Sequence, residues 1–113
     1  MAAQTIAISA HYRVVDLQQL TGVGGTAVAL PTPTASLVTP KLNARPDNIF
    51  VQAPVGNTQN ITIGKTGVAS GGAGIELAPG ANTNLPSNDY TYWQVIAAGA
   101  GQKLNVVYGY GPQ

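Results

Sequence analysis

Gly74-Ile75-Glu76-Leu77-Ala78-Pro79-Gly80-Ala81-Asn82-Thr83-Asn84-Leu85 decides how the rest of the chain is read. Ile75 and Leu77 share one parity and Glu76 takes the other, the period-two pattern of a strand with a single buried face. Pro79 then presets φ at position i+1 of a type II turn, and Gly80 tolerates the positive φ needed at i+2, so the chain bends sharply there. The same grammar surrounds this stretch. Asn48-Ile49-Phe50-Val51-Gln52-Ala53, Asn60-Ile61-Thr62-Ile63, residues 90–97 and residues 103–108 are short apolar runs, each closed by turn residues. Such spacing argues for a sandwich or jelly roll rather than a parallel α/β sheet.

Working outward, Ile49-Phe50-Val51 is apolar without alternation, as expected of a central strand covered on both faces. Residues 90–97 (Tyr-Thr-Tyr-Trp-Gln-Val-Ile-Ala) have high β-propensity and read as one strand, with Trp93, Val95 and Ala97 facing one way and Tyr90, Tyr92 and Ile96 the other. Leu104, Val106 and Tyr108 share an inward parity, and Gly109-Tyr110-Gly111-Pro112-Gln113 reads as a tail. The glycine-, serine- and alanine-rich residues 64–74 read as an exposed loop.

Toward the N-terminus, residues 5–14 alternate, with Ile6, Ile8, Tyr12 and Val14 on one side. Residues 15–20 fit a continuation of that strand or one helical turn, the strand being preferred. Thr21-Gly22-Val23-Gly24-Gly25 reads as a hinge. The division is therefore an N-terminal arm and hinge over residues 1–25 and a β-domain over residues 26–113. An isolated strand is not stable in water, so the alternating arm calls for a partner surface. Residues 31–46 are punctuated by proline, which cannot donate to a ladder, and leave at most an edge strand around residues 35–38. The fold class expected is all-β: a single-domain antiparallel β-sandwich, jelly-roll-like, with an extended N-terminal arm.

Composition bounds the chemistry. The chain has 113 residues and no cysteine, so disulfides, thiolate metal sites and cysteine nucleophiles are excluded. Only 8% of residues are charged, against about 25% in an ordinary soluble domain. Asn, Gln, Ser and Thr number 31, so the solvent face is mostly neutral and polar. A formal net charge of +1 offers no electrostatic footprint for nucleic acid, and it provides little repulsion to keep copies apart. Met1-Ala2-Ala3-Gln4 lacks a basic leader and no apolar run approaches the ~20 residues of a membrane span, so neither a signal peptide nor a membrane partner is expected.

Candidate chemistry is thin. Gly64-Lys65-Thr66 resembles the end of a phosphate loop, but Gln59 stands where its first glycine belongs and residues 67–74 forbid the helix that should follow. Gly22-Val23-Gly24-Gly25-Thr26-Ala27 fits a dinucleotide fingerprint by letter, yet Pro31 and Pro33 leave no room for its helix. His11 is the single histidine, and Asp16, Asp47, Glu76 and Asp89 are scattered, each with a simpler use in a turn or on a solvent-facing strand position. No catalytic, cofactor-binding or metal-binding residues are assigned, no cofactor is expected, and the chain does not read as an enzyme. Aromatics gather in the last third. Trp93 and Tyr108 read as core; Tyr90, Tyr92 and Tyr110 either cover that core or form a platform for a sugar or a protein. With the arm residues Ile6, Ile8, Tyr12 and Val14 they are the candidate interface.

The order of Asn48-Ile49-Phe50-Val51-Gln52-Ala53, Gly56-Asn57-Thr58, Ile61-Thr62-Ile63-Gly64, Gly74-Ile75-Glu76-Leu77-Ala78-Pro79-Gly80 and Tyr92-Trp93-Gln94-Val95-Ile96-Ala97 before Leu104-Asn105-Val106-Val107-Tyr108 resembles small β-rich structural proteins of tailed bacteriophages. The resemblance spans the last two-thirds of the chain and carries over no catalytic or ligand residues. It implies a virion protein of the capsid decoration (cement) kind, made in the host cytoplasm and carried on the capsid surface. Its partners would be the major capsid protein and its own copies, as a homo-oligomer (trimer or dimer). The alternative it leaves open is a tail- or fibre-associated protein, or a glycan-binding module for host attachment.

Overall fold

The computed structural model describes residues 14–34 and 46–110, with Val14 described by its backbone alone. Eight strands follow in order: β1 (Val14–Val23), β2 (Val28–Ala29), β3 (Asn48–Gln52), β4 (Ile61–Gly64), β5 (Ile75–Leu77), β6 (Asn82–Asn84), β7 (Gln94–Ala97) and β8 (Gln102–Tyr110). They form two four-stranded sheets, ordered β1-β8-β3-β6 and β2-β7-β4-β5. The antiparallel pairs nest from the outside in: β1 with β8, β2 with β7, β3 with β6, β4 with β5. That nesting is the connectivity of a jelly roll, a hairpin folded over on itself into two facing sheets. The all-β sandwich expected from the strand grammar is the fold observed.

One apolar cluster fills the space between the sheets. Ile49, Val51, Leu104, Val106, Tyr108 and Tyr110 come from the first sheet, and Ile61, Ile63, Leu77, Val95 and Ala97 from the second. Trp93 closes one end, its indole N–H donating to the Ser87 carbonyl at 3.0 Å. Burying an aromatic ring while giving its N–H a partner is how tryptophan enters a core without a desolvation cost. The turn after β5 is as read: Gly80 has φ +90°, and the Ala81 N–H donates to the Ala78 carbonyl at 2.9 Å.

Four expectations are corrected. The division at residue 25 fails for the part of the arm described, because β1 lies in the domain's own sheet, paired with β8 from Val14↔Tyr110 to Leu20↔Leu104. The glycine stretch is no hinge: Gly22 takes φ +70° inside a bulge between Leu20 and Val23, and Val23 then drops fully into the core. Residues 90–97 are not one strand. Asp89 accepts from the Thr91 N–H and caps a 3-10 turn over Tyr90–Tyr92, so the ladder begins only at Gln94. Tyr110 is not in a tail but is the last residue of β8, 1% exposed, on the same inward parity as Tyr108. Residues 1–13 and the possible edge strand at 35–38 lie outside the described residues.

Loops are tied down by carboxamides. Gln102 is buried, and its Oε1 accepts from the Thr58 and Gln59 N–H groups at 2.8 and 3.0 Å, while its Nε2 donates to the Ala100 carbonyl and the Thr58 hydroxyl. Asn57 donates to the Lys103 carbonyl and accepts from the Lys103 N–H, imitating one rung of a ladder. Together they clamp the β3–β4 turn onto the start of β8. Replacing Gln102 by Ala would remove the acceptor of two loop N–H groups at a partly buried site, and destabilisation of about 1–3 kcal/mol is expected in urea titrations. Tyr110→Ala should cost about 3–5 kcal/mol, as Trp93→Ala should. A near-neutral Tyr110→Ala would show that the end of β8 is not part of the core.

Candidate functional site

The two sheets differ in what covers their outer faces. On the second sheet, Thr62 of β4 lies between Glu76 of β5 and Ile96 of β7. Thr62 and Ile96 are both buried although they point away from the core between the sheets. Residues 65–74 provide the cover. The Gly71 N–H donates to the Thr62 hydroxyl at 3.0 Å, the Gly67 N–H donates to Gln94 Oε1 at 3.2 Å, and Val68 is buried. A side chain at Gly74 could not fit, because its Cβ would lie 2.5 Å from the Ile63 carbonyl oxygen. The loop is exposed as expected, Val68 apart, and in addition it is fastened against the sheet by these contacts.

The outer face of the first sheet has no such lid among the described residues. Its side chains fall into rows that cross the strands in register. One row is Leu17, Val107, Phe50 and Asn84; the next is Gln19, Asn105, Gln52 and Asn82. The second row is made entirely of carboxamides, and its members bond to each other: Gln19 Nε2 donates to Asn105 Oδ1 at 2.9 Å, and Asn105 Nδ2 donates to Gln52 Oε1 at 3.3 Å. Leu17 is 74% exposed and Val15, on the same face of β1, 47%. Leu17, Gln19, Gln52, Asn105 and Val107 line an open concavity of about 440 Å³. This face is the candidate functional site. Nothing in the hydropathy of the separate strands announces it; only the register brings the rows together.

The residues singled out from the sequence meet differently. Ile6, Ile8 and Tyr12 lie outside the described residues, and Val14 enters only as the backbone that opens β1. Tyr90 packs on the core with its ring edge-on to Tyr108, centroids 6.1 Å apart. Tyr92 is half exposed and stands edge-on to Trp93 at 4.8 Å. Tyr110 is interior. The three tyrosines therefore do not share one exposed platform. Parity counted on from Tyr108 would have placed Tyr110 inside.

Asp16 is the other residue misjudged. Instead of facing solvent it is buried on the inward side of β1, opposite Tyr108. Its carboxylate accepts from the Thr34 N–H at 2.7 Å, the Thr34 hydroxyl at 3.3 Å and Gln18 Nε2 at 2.9 Å. Tyr108 donates its hydroxyl to the Pro31 carbonyl. The proline segment is thereby strapped across the open edge of the core by one carboxylate and one phenol. His11 lies outside the described residues, and among those described no group of three His, Cys, Asp or Glu side chains could hold a metal ion.

Burial, with the nearby Asp16 charge as the next cause, pushes the Tyr110 phenol up to about 12. Tyr108 is raised as well, first by burial and then by Tyr110, Asp16 and Tyr90. Tyrosines in the unfolded chain ionise near 10. Below that pH both states hold these protons and stability is unaffected; above it the unfolded state releases protons that the folded state retains, so stability falls as pH rises toward the folded values. Urea unfolding between pH 8 and pH 11.5 should show a loss beginning near pH 10, shallower in Tyr110→Phe. Equal slopes in the two proteins would contradict the burial of this phenol.

No protein-family model matches the sequence, and no curated protein does. Among solved structures the chain is similar to one from the Bacillus endospore appendages, which form a family of disulfide-linked pili, at 11% identity over 90% of this chain and 94% of that one. The TM-score is 0.35, and a likeness that faint carries no argument; the fold rests on the strand pairings themselves.

Proposed function

We propose that this protein is a structural component of a virus particle, a capsid decoration protein that seats the outer face of its β1-β8-β3-β6 sheet on the major capsid protein. The observation that carries the reading is that face itself: apolar and carboxamide rows in register, with no covering loop among the described residues, while the opposite sheet is covered by its own loop. Lys103 is the one charged residue on the outward parity of β8, and β1 and β3 contribute none there. Such a surface gains from burying apolar area and from matching amide donors and acceptors, without charge steering. It suits a permanent seat in a neutral environment. The jelly-roll connectivity is compatible but does not select the function, since capsid, lectin and enzyme domains all use it. The phage resemblance in the strand-and-turn order points the same way.

Protein quantification of purified particles from the virus that encodes the chain tests this. Copies in the hundreds, comparable with the major shell protein, are expected for decoration. A handful of copies would move the protein to the tail or fibres, and absence from the particle would sink the reading. Attachment to the shell should also be nearly indifferent to salt between low and moderate ionic strength, because so few charges are available to screen.

A further inference from the structure

We propose that β1 pairs antiparallel with β1 of a second copy across a two-fold axis at Leu17, joining two four-stranded sheets into one of eight strands. The inference rests on the assembly reading above for its purpose, while its chemistry comes from the edge of the sheet. Each sheet ends in two edge strands. Three of the four are two or three residues long: β2 (Val28–Ala29), β5 (Ile75–Leu77) and β6 (Asn82–Asn84). Very short edge strands are a standard protection against pairing with another chain. The fourth, β1, runs for ten residues and has no strand on its other side among the described residues.

The composition of β1 fits that use. Val-Val-Asp-Leu-Gln-Gln-Leu-Thr-Gly-Val contains no lysine and no proline, the residues that ordinarily blunt an exposed edge. Its single charge, Asp16, is turned inward and already engaged by Thr34 and Gln18. The outward side chains Val15, Leu17 and Gln19 are exposed. An unpaired strand edge offers alternating donors and acceptors, and the partner that matches it without any further sequence requirement is the same strand related by a two-fold axis.

The register follows from the rows on the face. The apolar row Phe50–Val107–Leu17 is cut off at the edge, leaving its last side chain mostly in water. Placing Leu17 opposite Leu17 of the second copy continues it as a six-residue row across the joined sheet. That register sets Asp16 opposite Gln18 and Val15 opposite Gln19, so no charge meets its own copy. Moving the axis to Gln18 would set Leu17 opposite Gln19 and break both the apolar and the amide rows. A single strand pair is smaller than a standard protein interface, so monomer and dimer should exchange in dilute solution.

The 113-residue sequence has no cysteine, which permits a direct test. Residues directly opposite in an antiparallel pair have Cα atoms about 4.5–5.5 Å apart, within disulfide range. Leu17→Cys under mild oxidation should become mostly covalent dimer, while Val55→Cys, in the β3–β4 turn and 83% exposed, should remain mostly monomer. Leu17→Lys, which sets two like charges on the axis, should shift sedimentation to monomer with an unchanged circular dichroism spectrum. Equal cross-linking at both positions, no cross-link at Leu17→Cys, a trimer, or a wild-type monomer at ~100 μM, well above the ~1 μM range of modest affinities, would each overturn the pairing. The two readings fail separately. A solution monomer found at shell-like copy number loses the pairing and keeps decoration; a solution dimer absent from particles does the reverse.

Discussion

The first sheet is registered to the inward row of β8. Leu104, Val106, Tyr108 and Tyr110 point into the core from a strand that pairs on both sides, with β1 and with β3. A slip of one residue would put those four side chains in water and turn Lys103 and Asn105 inward, so the register is strongly specified. Once it is set, Ile49 and Val51 must face the same core, and the opposite parity must carry Leu17, Val107 and Phe50 to the outside. The candidate interface is thus a geometric consequence of the core. Neither face can change register without the other.

The second constraint is electrical neutrality. With 8% charged residues, the chain has few ion pairs with which to fasten loops. It uses carboxamides instead, since one such group can donate and accept at once and so satisfy a backbone N–H and a backbone C=O from a single side chain. Asn57 does this for both backbone groups of Lys103, and Gln102 closes four bonds inside the molecule. Carboxylates add to this at Asp89, which caps the turn at residues 90–92, and at the buried Asp16. Asp16 survives burial because three donors converge on it, and it holds the segment Pro31 to Thr34, whose prolines cannot join a ladder.

What was legible in the sequence followed from short-range rules. Pro79-Gly80 named its turn, Ile75-Glu76-Leu77 its buried face, and Leu104, Val106 and Tyr108 their shared side, because alternation and turn chemistry are local. What was missed depended on distant partners. Tyr90-Thr91-Tyr92 has strand propensity, but Asp89 two residues before Thr91 caps a turn that the core then accepts. Gly22 looks like a hinge by composition; in place it lets β1 bulge so that Val23 can reach the interior. Asp16 looked solvated because its main partner, Thr34, is eighteen residues away along a proline-broken stretch. The amide row could not be read at all, since its four members come from four strands that only the jelly-roll order makes neighbours.

A sandwich of this size has two outer faces and four edges to reconcile with water, and it treats them unequally. The second sheet gives up ten residues of loop to cover one face, and its glycine at position 74 lets the backbone lie where a methyl group would collide. Three edges are kept to two or three residues. Covering and shortening both lower the chance of unwanted association, so their absence, among the described residues, on β1 and on the outer face of its sheet is informative by contrast. Those two surfaces adjoin, because β1 carries Leu17 and Gln19 at the ends of the apolar and amide rows. Among the described residues, the long edge and the uncovered face thus form one continuous surface that is poor in charge.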